Sequence, residues 1–501
     1  MSNLFDLLLA DKAGSDRLAL ETPGGLGISF EDLIQASGRM ANALASLGVR
    51  PGDRIAVQVE KSPANLVLYL ASLRAGAVYL PLNTAYTLPE IGYFVADAEP
   101  SLIVCDPSAK AGTEALAGGT ARVETLDAAG QGSLAEIAAR QPAAFQTVAR
   151  TGDDLAAIVY TSGTTGRSKG AMLSHANLAS NARTLVESWR FTPGDVLIHA
   201  LPIYHVHGLF VAINVLLMAG GTMIFLPKFD AGEIVGWLPR ATALMGVPTF
   251  YTRLLRHPGL TAGSVRAMRL FVSGSAPLLA ETHREWRART GHAILERYGM
   301  TETGMNLSNP YDGERIAGTV GRPLPGVEVR IADPETGAPV ADGAIGMIEV
   351  KGPNVFKGYW RMPEKTAQEF RADGFFITGD LGTIGQDGYV SIVGRGKDLI
   401  ITGGLNVYPI EVEEKIDALP GVVESAVVGL PHPDFGEAVT AVAATGGGGH
   451  PSEAEVLAAL EGGLAAFKRP KRVIFVDELP RNTMGKVQKA ALRAQYAGLY
   501  G

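Results

Sequence analysis

Ala156-Ala157-Ile158-Val159-Tyr160-Thr161-Ser162-Gly163-Thr164-Thr165-Gly166-Arg167-Ser168-Lys169-Gly170-Ala171-Met172-Leu173-Ser174 is the stretch on which the reading of this chain turns. An apolar, β-prone run feeds a loop built of hydroxyls, glycines and two cations. A second short apolar run follows, and Ser174 opens a helix-like pattern. The order predicts strand, loop, strand. Gly163, Gly166 and Gly170 can take positive φ and let backbone N–H groups approach an anion. Thr161, Ser162, Thr164, Thr165 and Ser168 add side-chain donors, while Arg167 and Lys169 add charge. Such a loop suits a triphosphate, although a Gly/Ser/Thr-rich segment by itself also describes a flexible surface loop. It is not a Walker A loop, because Ser168 stands where that motif needs glycine and Gly170 where it needs a hydroxyl.

Outward from this loop, the 501 residues allow about three units of ordinary domain size. Apolar residues make up 47% and charged residues 19%, a balance that buries large cores and excludes disorder. A net charge of −7, with no basic run longer than Lys468-Arg469-Pro470-Lys471-Arg472, argues against nucleic acid as a partner. Cys105 is the only cysteine, so no intrachain disulfide can form, which fits a reducing compartment. The start Met1-Ser2-Asn3-Leu4-Phe5-Asp6 lacks the cationic segment of an export signal, and the expected location is cytoplasmic. The uncharged run from Gly208 to Pro227 has the length of a membrane span, but Gly220-Gly221 splits it into a buried helix and strand. No membrane partner is expected.

Strand and helix patterns alternate on both sides of the loop. Ser29 and Asp32 form a capping box ahead of the apolar stripe Phe30, Leu33, Ile34, Met40, Ala43 and Leu44. Ile55–Val59 reads as a strand, Ala64–Ala75 as a helix, Val78–Leu80 as a strand, Pro89–Ala96 as a helix and Leu102–Cys105 as a strand. Residues 108–150 are Ala/Gly-rich and predict peripheral helices and loops. The expected class is α/β, with a large N-terminal lobe of mostly parallel sheets covered on both faces by helices. Near Gly318 short strands among frequent Gly and Pro predict a small β-rich subdomain. The expected division is therefore 1–394, with the β-rich part at about 318–394, and a smaller mobile α+β domain at 395–501.

The ten positions T-S-G-T-T-G-x-x-K-G resemble the phosphate loop of the adenylate-forming superfamily, the group of acyl-CoA synthetases, luciferases and peptide-synthetase adenylation domains. Three further signatures follow in order. Tyr298-Gly299-Met300-Thr301-Glu302 resembles the motif whose threonine touches the α-phosphate and whose glutamate holds Mg²⁺; Thr161 joins Glu302 as a metal-site candidate. Thr378-Gly379-Asp380 and Gly394-Arg395 resemble the pair that grips the ribose, so Asp380 and Arg395 inherit that role and Lys397 falls at the domain hinge. Pro480-Arg481-Asn482-Thr483-Met484-Gly485-Lys486 resembles the last motif, whose lysine stabilises charge during adenylation. Outside that context Glu302 reads as a solvated loop residue, Asp380 as a turn residue and Lys486 as a surface cation.

The resemblance implies a two-step ligase that uses ATP and CoA as co-substrates with Mg²⁺ as cofactor. Thr301, Glu302 and Lys486 would be catalytic, and Thr161, Ser162, Gly163, Thr164, Thr165, Gly166, Lys169, Tyr298, Gly299 and Met300 would bind ATP with Asp380 and Arg395. Gly403 and Gly404 would wall the pantetheine tunnel, and Lys468 to Arg472 could meet CoA phosphates or simply form a solvated basic surface.

The segments expected to line the acid pocket carry His207, Arg253, Ser275 and Arg297 where a fatty or aromatic acid would need apolar walls. Two arginines and a serine can receive a second carboxylate, for which the planar guanidinium fork is suited. Equally, Arg253 could face solvent on a helix and Arg297 could pair with Glu296. The strings H-A-L-P-I-Y-H-V-H-G-L, V-P-T-F-Y-T-R-L, S-G-S-A-P-L and E-R-Y-G-M-T-E resemble the malonyl-CoA synthetases of the superfamily, which implies malonate as substrate and methylmalonate as a secondary one. The alternatives are a ligase for another short-chain acid, an adenylation enzyme loading a separate carrier protein, and a catalytically dead nucleotide sensor. Oligomeric state is not legible in the sequence.

Overall fold

The computed structural model describes residues 3–161, 168–446, 449–461, 463–482 and 485–500. It forms two compact units: residues 1–317, 321–328 and 351–374 in one, and 318–320, 329–350 and 375–501 in the other.

The first unit is built on two twisted sheets. In the six-stranded sheet, Arg122–Thr125, Leu102–Cys105, Arg54–Gln58, Val78–Pro81 and Leu155–Thr161 run parallel in that spatial order, and Lys169–Ser174 closes the edge antiparallel. The nine-stranded sheet has a parallel centre formed by Leu295–Met300, Leu270–Ser273, Ala243–Gly246, Val196–His199, Thr222–Phe225 and Leu18–Glu21. Parallel strands joined by helices are buried on both faces, which is why these runs read as continuously apolar. Leu102–Cys105 and Ala243–Gly246 are buried at every position.

Local chemistry sets the helix starts. Ser29 caps the helix Phe30–Ser46 with a reciprocal bond to Asp32, and Ser174 caps His175–Ser188 the same way with Asn177. Both caps follow strands, so each hydroxyl satisfies orphan N–H groups where the chain reverses direction. The run after Gly208 holds a buried helix and the strand Thr222–Phe225, as its composition predicts, but it begins with a π-helical turn, His207–Ile213. Among the described residues no helix is long and apolar enough to cross a membrane. Residues 108–150 also hold a strand, Arg122–Thr125, that extends the six-stranded sheet. It is absent from the sequence reading because its exposed start and polar residues hide a short edge strand.

The second unit carries a four-stranded sheet, in the order Glu328–Ala332, Gly346–Lys351, Phe376–Ile384 and Val390–Arg395. It also carries a five-stranded sheet with a core of Ile400, Val407, Val412, Ile416, Val427 and Val439. The β-rich stretch expected as part of the N-terminal lobe thus groups by packing with the C-terminal strands. The helix Pro409–Asp417 packs against Val390–Arg395 and ties the two sheets of this unit together.

Candidate functional site

The two strands expected to flank the candidate phosphate loop are present. Leu155–Thr161 and Lys169–Ser174 form an antiparallel hairpin in which Thr161 stands opposite Lys169. The expected contributors Ser162, Gly163, Thr164, Thr165 and Gly166 lie outside the described residues. Gly170 is held in the sheet by close packing, since a Cβ there would lie 2.9 Å from Ile158.

Tyr298, Gly299 and Met300 end the strand Leu295–Met300, and a tight turn through Thr301 and Glu302 returns into Gly304–Ser308. Gly299 is required by contact, because a Cβ there would stand 1.9 Å from the Gly304 carbonyl oxygen. The turn is pinned from a distant segment: the Phe356 N–H donates to the Glu302 carbonyl at 2.7 Å and the Asn354 amide donates to the Thr303 carbonyl at 2.8 Å. The Glu302 carboxylate is buried, and the Tyr359 hydroxyl lies 3.0 Å from its Oε1. A buried carboxylate oxygen on a turn fits a hard divalent ion that shares its remaining ligands with phosphate and water. Among the described residues no group of three or more His, Cys, Asp or Glu side chains is placed to hold a metal ion.

Tyr359 and Glu369 belong to this constellation although the sequence reading misses them. The Tyr359 hydroxyl also lies 3.1 Å from Glu369 Oε2, and Lys169 Nζ lies 3.1 Å from Glu369 Oε1. Burial, then the two carboxylates, push the Tyr359 phenol well above its ordinary pKa, so the hydroxyl stays a donor. The only available signal was the aromatic pair Tyr359-Trp360 after glycine, which carries no chemistry by itself.

Three of the four acid-pocket candidates come together. His207 opens the π-helical turn, Ser275 follows the strand Leu270–Ser273, and Arg297 lies on Leu295–Met300. Ser275 Oγ is 3.3 Å from His207 Nδ1, and Ser275 holds φ at +72°, a left-handed conformation unusual for a non-glycine residue. Arg297 is 3% exposed, and its Nε and Nη2 are buried without a hydrogen-bond partner among the described residues. Its guanidinium packs flat on Gly274, where a Cβ would stand 2.4 Å from the guanidinium carbon. Glu296 is no partner for it, because successive strand residues point to opposite faces. Desolvation lowers the Arg297 pKa to about 9, which leaves it charged at neutral pH. Desolvation, then the Arg297 charge, hold His207 well below the ordinary imidazole value, so His207 is neutral. A buried cation beside a hydroxyl and a neutral imidazole is a receptor for a carboxylate.

Arg253 departs from this trio. It is exposed on the helix Pro248–Leu255, with its guanidinium 5.8 Å from the Phe229 ring centre. Among the described residues no hydrogen bond or ion pair joins it to His207, Ser275 or Arg297.

In the second unit, Asp380 and Arg395 face each other across paired strands, and Arg395 Nε donates to Asp380 Oδ1 at 2.6 Å. Gly379, at φ +75°, makes the bend that turns Asp380 toward Arg395. Lys397 lies in the short turn Gly396–Asp398, and burial lowers its pKa. The Asn482 N–H donates to the Lys486 carbonyl and the Lys486 N–H donates to Asn482 Oδ1, both at 2.9 Å, and Gly485 holds φ at +73°. The Lys486 side chain keeps exposed surface, yet desolvation and then the Arg395 and Lys397 cations lower its pKa to about 8. Lys486, Arg395 and Lys397 thus share one electrostatic neighbourhood with Asp380 and Asp398.

Gly403 and Gly404, both at positive φ, turn the chain between Ile400–Thr402 and Leu405–Val407 and leave Ile401 and Leu405 exposed. Three of the four cations of the basic run are ion-paired: Lys468 with Glu411, Arg469 with Glu461 and Arg472 with Glu453, while Lys471 lies over the Phe435 ring. A solvated, ion-paired surface is therefore its arrangement here.

The AMP-binding enzyme family matches residues 10–360, and the AMP-binding enzyme C-terminal domain matches residues 411–486. A feruloyl-CoA synthase of Amycolatopsis sp is 37% identical over 478 residues, covering 94% of this chain and 95% of its own. A malonate–CoA ligase of Arabidopsis thaliana is 36% identical over 501 residues, covering 93% of this chain and 81% of its own. The crystal structure of ATP-bound MatB from Rhodopseudomonas palustris is 65% identical, covers 100% of both chains and superposes with a TM-score of 0.98.

Proposed function

Because the chain belongs to the AMP-binding enzyme family and is an acyl-CoA ligase of the adenylate-forming superfamily, we propose that its acid is malonate, joined to CoA at the cost of ATP. Relatives of nearly equal identity bear the names of different acids, feruloyl in one and malonate in another. Overall identity to these two therefore does not choose between them, and the pocket must. The observation that carries malonate is the buried Arg297, whose Nε and Nη2 have no hydrogen-bond partner among the described residues, in the electrostatic neighbourhood of His207, which Ser275 approaches at 3.3 Å. An aromatic acid would leave that guanidinium without a counter-charge, whereas the second carboxylate of malonate supplies one.

In the proposed reaction one malonate carboxylate attacks the α-phosphorus of ATP, pyrophosphate leaves, and malonyl adenylate forms. The CoA thiol then attacks the acyl carbon and AMP leaves, giving malonyl-CoA. Thr301 contacts the α-phosphate, Lys169 and the loop it closes hold the outer phosphates, and Asp380 with Arg395 holds the ribose. Lys486 supplies positive charge to the first step. Glu302, with Thr161, is the residue proposed to hold Mg²⁺, whose bound charge would offset that of the phosphates. Lys397, inside the second compact unit, is the proposed hinge, and Gly403 and Gly404 admit the pantetheine arm. Arg253 is kept as a rim contact rather than as the anion receptor. Methylmalonate is a secondary substrate, since one methyl group discriminates by only about 1–3 kcal/mol. A reducing, cytoplasmic setting suits the lone buried Cys105.

The test is AMP release by purified protein with Mg-ATP, CoA and a panel of malonate, methylmalonate, acetate, benzoate and ferulate. Malonate should give the highest kcat/KM. Equal turnover of acetate or ferulate would remove the dicarboxylate, and adenylation without thioester formation from free CoA would favour a carrier protein as acceptor.

A further inference from the structure

Lys169 is held by groups far from it in sequence. Its Nζ is 3.1 Å from Glu369 Oε1, 200 residues away, and stands 4.1 Å from the Tyr359 ring centre. Both partners are largely enclosed, with side chains 19% and 21% exposed. The same Glu369 oxygen receives a second cation, Lys365, at 3.0 Å from one helical turn away, and that lysine is 42% exposed. The other Glu369 oxygen takes the Tyr359 hydroxyl, which also reaches Glu302.

This geometry sets up a competition. An ammonium shared with an enclosed carboxylate has to leave it, or weaken its hold, before it can neutralise a phosphate. Lys365 remains on the carboxylate when Lys169 departs, so the exchange does not strand a buried negative charge. We infer that Glu369 is an internal competitor of the triphosphate for Lys169, with Lys365 as the counter-ion that makes release tolerable. Glu369 is thus a positioning residue that lowers ATP affinity. The inference rests on the proposed contact between Lys169 and phosphate.

The sign of the effect separates this role from a structural one, because loss of a structural brace weakens binding whereas loss of a competitor tightens it. Titration calorimetry with Mg-ATP should show Glu369→Gln binding about 5- to 20-fold more tightly than the parent chain. Glu369→Asp should bind as the parent does. In a Lys169→Ala background, itself weakened, Glu369→Gln should have no effect. Lys365→Gln should act in the opposite direction and weaken ATP several-fold, because Lys169 is then the one cation left on Glu369 among the described residues. That variant carries the test if Glu369→Gln fails to fold. Unchanged or weaker ATP binding by a folded Glu369→Gln, or unchanged binding by Lys365→Gln, overturns the competition. If Lys169→Ala binds ATP as the parent does, the phosphate role of Lys169 fails instead.

Discussion

A guanidinium with two buried nitrogens and no carboxylate beside it destabilises a folded chain, since burying an unpaired ion costs several kcal/mol. Arg297 is such a group among the described residues, and the proposed binding of a carboxylate would give a reason to retain it. Replacing it with a flexible apolar side chain should relieve that cost, so Arg297→Met is expected to stabilise the protein by about 1–3 kcal/mol while malonate turnover falls at least about 100-fold. Urea unfolding and malonate-dependent AMP release read the two effects; loss of stability on substitution would make Arg297 a structural brace. Lys486 carries the pH dependence. With its pKa lowered to about 8, the ammonium is charged below that value and neutral above it. Adenylation, measured as malonate-dependent pyrophosphate exchange, should therefore decline as pH rises through about 8, where an ordinary lysine would hold its charge to about 10.4. A profile flat to pH 10 would remove the lowered pKa of Lys486 from that step. Both residues were legible as candidates from motif position. What the motif did not disclose was that Arg297, and not Arg253, is the buried cation.

Among elements, the π-helical turn His207–Ile213 holds His207, one of the proposed acid-binding residues. Its opening residue faces Ser275, and the next residue, Gly208, lies so close to the preceding chain that a Cβ would stand 2.0 Å from the Pro202 carbonyl oxygen. Gly208→Ala must therefore move backbone, and His207 with it. The expected result is a loss of about 2–3 kcal/mol in stability together with a higher malonate KM and an ATP affinity close to the parent's. Unaltered kinetics for malonate would detach the turn from substrate binding. The hairpin around the phosphate loop was readable because hydroxyls and glycines interrupt two β-prone runs, and the helices after Ser29 and Ser174 because capping chemistry is local. The π-helical turn was not readable. Leu209 to Ile213 are apolar and buried on every side, so no periodicity separates a wide turn from an ordinary helix.

Across the whole chain, the sequence by itself determined the α/β class, the alternation that yields parallel sheets, and the order of the four signatures, because each rests on local pattern and residue type. The texture change near Gly318 was real, yet packing groups those strands with the C-terminal residues, which the boundary expected at 394 divides. Texture reports local composition, whereas a compact unit is defined by which apolar faces cover one another. Only the tertiary structure decided which arginine is enclosed, that Tyr359 and Glu369 belong with Glu302 and Lys169, and that three cations of the basic run after Phe467 are paired with acids. Those pairings join residues 57 and 200 positions apart, and no local periodicity encodes them. They arise when sheets and helices already committed by local chemistry bring distant side chains within reach, where burial turns a solvated charge into one that must find a partner.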